Sequence, residues 1–244
     1  MSVSERYRNA WEGFWGATSG TPGEAIWDSD PVLTDDPCLE LLAPHADATL
    51  PVVDIGCGNG TRTRWLAGRF PRAVGVDLSR AAVDLARRAD PKGLALYEQL
   101  DVVDAAAVDG LRERLGGDGN VHMRGVLHQC DPQDRAPVAA AVAHMAGARG
   151  RALVVELTRA AAASLHHLTR APAGPPPKLR RVLEHDLRPA DAPDGEVPRL
   201  LRAAGLQILA EGETTLAMTE HHPDGTRVDL PGHWFLAGRT QAAP

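Results

Sequence analysis

Nine residues, VVDIGCGNG at 52 to 60, limit the fold more than any other stretch of this chain. Branched aliphatic residues flank an aspartate and run into three glycines within five positions. An apolar, β-branched run of this length reads as a buried strand. A buried strand that stops in alternating glycines needs a left-handed turn, or another group lying close against the main chain. The next residues, TRTRWLAGRF, have helical composition. Strand, glycine turn and helix together aim backbone amides at a ligand beyond the strand end. The glycine spacing alone is a weak signal, since a purely structural turn also takes one or two glycines.

The same rhythm continues along the chain. Strands are expected at 51–56, 72–78, 94–102, 120–126 and 151–157, with helices at 60–70, 79–89, 103–115 and 132–147. This alternation predicts an α/β fold with a parallel sheet covered on both faces. Ligands on such sheets bind at the carboxyl ends of the strands. After residue 157 the rhythm breaks. APAGPPPKLRR (171–181) holds four prolines, too stiff and donor-poor for a strand or helix interior, so 158–193 is read as a lid insertion over the active face. VPRLLRAAGLQILAEGE (197–213) reads as helix then strand, and HWFLAGRT (233–240) as a last strand. Joined by the polar segment 214–232, these two strands are expected to pair as a long antiparallel hairpin. Residues 1–47 read as an N-terminal helical cap, and 48–244 as the core with its lid.

Acidic residues recur where strands end. Asp77 ends the second strand, 17 positions after Gly60, and Asp101 ends the third. A carboxylate at the second position can accept both hydroxyls of a ribose. One at the third can accept from an adenine amino group. Each could instead cap the helix that follows. Taken together at successive strand ends, they describe a nucleoside site.

VVDIGCGNG, GVDLS, LDVVD, RGVLHQC and RALVVEL occur in the order and spacing of the motifs of class I S-adenosylmethionine-dependent methyltransferases. The chain resembles that family over about residues 50–157. The resemblance implies a Rossmann-like, seven-stranded, mostly parallel sheet with a C-terminal antiparallel hairpin. It also implies S-adenosylmethionine as cofactor and S-adenosylhomocysteine as product. Gly56, Gly58 and Gly60, with Cys57 between them, would pass under the amino-acid part, with Asp54 beside its amino group. Asp77 and Leu78 would hold the ribose, Asp101 and Val102 the adenine, and Arg124 with Gly125 would line the methionine side. An acid-lined pocket also suits the charge of a sulfonium.

Methyl transfer from a sulfonium is an in-line displacement, so the protein mainly aligns the nucleophile and, where needed, removes its proton. His128, in RGVLHQCDPQD, resembles the histidine of the LHDWxDxD segment of small-molecule O-methyltransferases, which deprotonates a hydroxyl. Gln129 and Cys130 stand where that segment has an acid and a tryptophan, so catalytic base, pocket lining and structural role stay open for His128. The fourth strand is not followed by Asn-Pro-Pro-Tyr or Asp-Pro-Pro-Tyr, which speaks against methylation of a nucleobase or amide nitrogen. Trp11, Phe14, Trp15 and Trp27 either staple the cap or form an aromatic wall for an organic substrate, with Trp27 the best candidate for the cofactor side. Glu156, near the end of the fifth strand, and His166 and His167, in the expected lid, are further substrate candidates. The pairs His166–His167 and His221–His222 lie too far apart, without acids at ligand spacing, to suggest a metal. His122, on the fourth strand, reads as a core or interface histidine.

A formal net charge of −6 speaks against a nucleic-acid partner, because such proteins displace counterions with a basic face. The basic run at 178–181 reads as a solvated helix face. No apolar run reaches bilayer length, the first residues lack a signal-peptide pattern, and three scattered cysteines suggest no disulfide framework. A cytoplasmic location and no membrane partner are expected; oligomeric state leaves no trace in the sequence. The leading reading is methyl transfer to a small organic molecule, at a hydroxyl. The alternatives are an amine, thiol or carbon acceptor, or a cofactor-binding protein that catalyses no transfer. Abundant alanine, arginine and proline, with scarce lysine and phenylalanine, suggest a GC-rich genome and the tailoring of secondary metabolites.

Overall fold

Five short strands form the parallel centre of the sheet: β1 (Val52–Ile55), β2 (Ala73–Asp77), β3 (Leu96–Gln99), β4 (Asn120–Arg124) and β5 (Arg151–Leu157). The computed structural model describes residues 2–170, 174–187, 193–222 and 224–239. All four residues of β1 and all five of β2 are buried, as happens when both faces of a parallel sheet are covered. Val53, Ile55, Val121 and Met123 share a cluster on one face, and Val52 and Ala73 face another. This is the alternation of successive side chains along a strand.

Helices α3 (Thr61–Ala67), α4 (Arg80–Ala89), α5 (Ala105–Leu115) and α6 (Pro132–Ala146) connect the strands. Ser79 caps α4 by accepting from the Ala82 N–H at 3.1 Å, and Asp104 caps α5 from the Ala106 N–H at 3.1 Å. Strand β3 is shorter than its apolar run. The Leu94 and Ala95 N–H groups donate to the Asp90 carboxylate rather than to a ladder, at 3.0 and 2.9 Å.

The strand order is β3-β2-β1-β4-β5-β7-β6, which includes β6 (Gln207–His221) and β7 (Arg227–Gly238). β7 runs antiparallel to both neighbours, and α9 (Glu196–Ala203) precedes the pair. The hairpin is longer than its apolar halves suggest, because the polar segment 214–232 extends both strands instead of looping between them. Beyond the strand ends the His222 N–H donates to the Thr226 carbonyl at 2.8 Å.

Two further elements depart from the sequence reading. Residues 159–169 form α7 (Arg159–Thr169), and α8 (Pro177–Glu184) begins inside the proline-rich run. Pro177 occupies the first helical turn, where its missing N–H is no loss. The basic run therefore lies on a helix, yet two of its side chains are tethers rather than a solvated face. Lys178 Nζ donates to the carbonyls of Gly23 and Thr219, both at 2.7 Å, and Arg181 pairs with Glu24 at 2.6 Å.

The N-terminal segment carries α1 (Glu5–Gly16), a 3-10 turn (Pro31–Leu33) and α2 (Asp35–Leu42). It is stitched to the strand ends. The Val3 N–H and Arg8 donate to Asp101 after β3, at 3.0 and 2.9 Å. Glu12 accepts from the Ser79 hydroxyl after β2, at 2.7 Å. Asp28 accepts from the Asn59 amide after β1, also at 2.7 Å.

Gly60 has φ +77°, and an added Cβ would lie 2.7 Å from the Tyr97 ring and 2.8 Å from Ala86. Left-handed backbone and close packing both require glycine there. Gly60→Ala is expected to destabilise the fold by roughly 2 kcal/mol or more. Urea denaturation checks this; an unchanged midpoint would show that the loop relaxes freely.

Candidate active site

One cavity of about 500 Å³ opens at the carboxyl ends of β1 to β5, under the N-terminal segment. Of the residues singled out from sequence, Asp54, Gly56, Cys57, Gly58, Asp77, Leu78, Asp101, Val102, Arg124, Gly125, His128, Trp11, Trp15, Trp27 and His166 line it. Gly60, Glu156 and His167 do not. Gly60 packs inward against Tyr97 and Ala86. His167 is exposed on α7, one residue round the helix from His166.

The glycine turn is left-handed at Gly56, Gly58 and Gly60. The Trp15 ring lies over Gly58, 2.7 Å from where a Cβ would stand. Trp15 is buried, and Trp27 sits edge-on to both Trp11 and Trp15, at ring separations of 5.6 and 6.2 Å. The N-terminal aromatics thus both pack on one another and wall the cavity.

At the end of β2, Asp77 accepts the Gly58 N–H through Oδ2 and the Ser79 N–H through Oδ1, both at 2.9 Å. Burial raises its pKa to about 6; the two N–H groups pull it down, while nearby Asp54 and Glu12 push it up. Asp101 receives the Val3 N–H and Arg8 on Oδ2, and the Val103 N–H on Oδ1 at 3.1 Å. Much of its accepting capacity therefore serves the N-terminal segment.

Under the glycine turn runs a buried chain of charges. Asp54 accepts the Thr63 hydroxyl at 2.7 Å and contacts His122 Nδ1 at 2.8 Å. His122 Nε2 faces Asp35 at 3.7 Å, an ion-pair distance rather than a hydrogen bond. Asp35 pairs with Arg62 at 2.8 Å and faces Arg124 Nε at 3.7 Å. Both arginines also donate to the Trp27 carbonyl, at 3.2 and 3.1 Å. Burial opposes charge on His122, but the carboxylates of Asp35 and Asp54 outweigh it and lift the pKa to about 9. Burial likewise opposes ionisation of Asp35; Arg62, His122 and Arg124 override it and hold the carboxyl well below the usual range. Arg124 is lowered to about 10 by burial and by neighbouring Arg62, and its Nε and Nη2 have no hydrogen-bond partner.

His128 follows β4. Its Nδ1 lies 2.8 Å from Glu156 Oε2, and the Gln129 amide nitrogen lies 2.9 Å from its Nε2. A carboxylate only accepts, so Nδ1 carries the proton and Nε2 keeps its lone pair. Glu156 also accepts the N–H groups of Val126, Leu127 and His128, at 2.9, 2.7 and 3.3 Å. The sequence reading of Glu156 as a substrate contact is corrected on this ground, since its oxygens are used in holding the loop and the imidazole. Burial raises the thiols of Cys57 and Cys130, the latter to about 12, which disfavours their thiolate forms.

Residues 52–150 match the family model described as a methyltransferase domain. A SAM-dependent methyltransferase of known structure from Anabaena variabilis superposes with a TM-score of 0.88 at 24% identity, over 98% of each chain. This is the class I methyltransferase fold. Shorter sequence matches connect it to ribosomal RNA small subunit methyltransferase H of Kocuria rhizophila, 40% identical over 95 residues. That match spans 36% of this chain and 28% of the relative. Trans-aconitate 2-methyltransferase of an Acidovorax species is 41% identical over 73 residues, 29% of this chain and 28% of the relative. The chain thus spans little more than a quarter of the length of these relatives. Among the described residues, no helix is long and apolar enough to cross a membrane, and no three His, Cys, Asp or Glu side chains gather as for a metal ion.

Sequence reasoning passed over several residues that this methyltransferase fold brings to the cavity. Val3, Tyr7, Asp28, Asn59, Arg62 and Gln129 line it as well. Asn59 and Arg62 sit in or just after the glycine motif, so their neighbourhood was legible although their partners on the N-terminal segment were not. Asp35 carries no local signal. The apolar stripe Leu179, Val182 and Leu183 of α8 also lines the cavity, and its i, i+3, i+4 spacing is readable.

The raised pKa of His122 has a definite sign. Its stabilising contribution is complete below the unfolded value near 6.5 and is lost as pH rises through about 9. Between pH 6.5 and 9.5 the melting temperature is therefore expected to fall by a few degrees. In His122→Asn this decline should flatten, at a lower overall stability. A wild-type curve that rises or stays level over that range would show the imidazole to be neutral.

Proposed function

We propose that this chain is an S-adenosylmethionine-dependent methyltransferase acting on a small organic molecule, at a hydroxyl group. The observation that carries the reading is one cavity lined together by a left-handed glycine turn, the buried carboxylate that ends β2 and the arginine that ends β4.

The residues fit the cofactor group by group. Each Asp77 oxygen accepts one backbone N–H and keeps a second lone pair, so the pair suits two adjacent ribose hydroxyls. The Arg124 guanidinium suits a carboxylate, and Asp54 on the same cavity suits an ammonium, together the two ends of an amino acid. Asp101 Oδ1 and Val102 remain for the base, and the tryptophan faces suit a sulfonium. When bound, the cofactor supplies a methyl group already activated on a sulfonium. The protein aligns the acceptor and excludes water with the tryptophans. His128 takes the acceptor's proton on Nε2, held in the right tautomer by Glu156. Gln129 leaves Nε2 when a hydroxyl takes its place.

The trans-aconitate match bears on a small-molecule acceptor and the ribosomal match on RNA; the net charge of −6 favours the first. Three unpaired cysteines suit a reducing, cytoplasmic setting. The composition rich in alanine, arginine and proline supports a role in tailoring secondary metabolites.

Calorimetric titration with S-adenosylhomocysteine tests the cofactor reading. Saturable binding is expected, with none for NAD, and Asp77→Ala should weaken it by roughly tenfold or more, because hydrogen bonds to a charged group contribute about 1.5–3 kcal/mol. Ionised Asp77 is the accepting form, so affinity should hold above pH 7 and fall about tenfold per unit below its pKa of about 6. A folded wild type that gives no heat overturns the reading.

His128→Ala separates the acceptor classes. With a hydroxyl acceptor kcat should fall by about 10²–10⁴. A thiol, which ionises more readily, should lose far less. An equal, small loss for both would remove His128 as the base.

A further inference from the structure

The cavity is divided by polarity. Its charged side chains gather at the glycine turn and strand ends, among them Asp54, Asp77, Asp101, Arg62 and Arg124. A contiguous apolar wall is built by elements outside residues 52–150: Leu165 of α7, Leu179 and Leu183 of α8, Leu216 and Met218 of β6, and Leu230 of β7. Among the described residues, the polar side chains that these four elements bring to the cavity are His166 and Thr169, and none is a carboxylate, lysine or arginine.

The basic side chains of α8 are turned away from this wall. Lys178 is spent on two backbone carbonyls, Arg181 on Glu24, and Arg180 on the Pro175 carbonyl at 3.2 Å. An amphipathic helix that points its leucines into the cavity and its cations outward selects against anions, because a buried carboxylate or phosphate needs a paired charge.

Resting on the methyltransferase reading above, we infer that this wall receives the methyl acceptor and that the acceptor is neutral and predominantly apolar, an aromatic or branched aliphatic molecule. His128 lies on the same cavity, so such a molecule presents its nucleophile to the imidazole while its body rests on the leucines. Polycarboxylates such as trans-aconitate find no cation on this wall. Arg62 and Arg124 belong to the other end, joined to Asp35 and the Trp27 carbonyl.

Two probes of matched shape, one neutral and one anionic, test this, 4-phenylphenol and biphenyl-4-carboxylate, with trans-aconitate as a third. Each is titrated calorimetrically into protein already saturated with S-adenosylhomocysteine. 4-Phenylphenol is expected to bind at least tenfold more tightly than either anion. Leu183→Asp, at a half-buried position, should weaken 4-phenylphenol at least tenfold and leave S-adenosylhomocysteine affinity within twofold; Leu165→Asp serves equally where the first variant fails to fold. An anion that binds as tightly as 4-phenylphenol, no binding of 4-phenylphenol, or an aspartate variant without effect overturns the inference. Should S-adenosylhomocysteine itself fail to bind, the cofactor reading falls, and the same preference measured on the ligand-free protein still decides the character of the wall.

Discussion

A protonated histidine held between two buried carboxylates is the joint on which this molecule turns. His122 lies on β4, Asp54 on β1 and Asp35 on the N-terminal segment, so one imidazolium ties two central strands to the element that roofs the cavity. Neither carboxylate would be tolerated in this position alone, since an unpaired buried charge is far more costly than a paired one. Arg62 and Arg124 complete the balance and reach across to the Trp27 carbonyl. The roof is thereby set at a fixed height above the glycine turn, close enough for Trp15 to lie on Gly58.

Glu156 does for the loop after β4 what His122 does for the roof. Its carboxylate gathers three consecutive N–H groups and the His128 imidazole, a cradle for one anion built from a backbone turn. The loop position, the ring orientation and the tautomer are set by one side chain projecting from the neighbouring strand. Preorganisation of this kind matters most for a group that must meet a proton at a defined place.

The central sheet and the strand-end acids were legible because they rest on local rules. Apolar runs of four to seven residues, glycines where the backbone is left-handed, and serine or aspartate at helix starts each encode their structure within a few positions. The basic run of α8 was read as a helix face, but the start of the helix was hidden, because a dense proline run masks the fact that its last proline can open a helix. Glu156 was placed at the right site with the wrong task, since its parity on β5 depends on pairing with β4 and β7. Asp35, Asp28 and Val3 went unseen for a different reason: each acts on a residue tens of positions away, and nothing in its own neighbourhood marks it. Long-range partners on an irregular segment are what a single sequence hides best.

The two ends of the cavity also differ in how they were built. The polar end is made of strand ends and turns, whose main chain is fixed by the sheet, and each of its acids is anchored by at least one neighbouring N–H, hydroxyl or imidazole. The apolar end is made of side chains on α7, α8 and the hairpin, held by the packing of leucines against the aromatic cluster of α1. Hydrophobic contacts set volume and exclude charge without demanding a single geometry, so this wall can be recut by substitution while the polar end stays intact. On the reading proposed above, such a separation lets one chemistry be kept while the molecule presented to it varies. The family match, residues 52–150, accordingly holds the strand-end acids and none of α7, α8 or the hairpin.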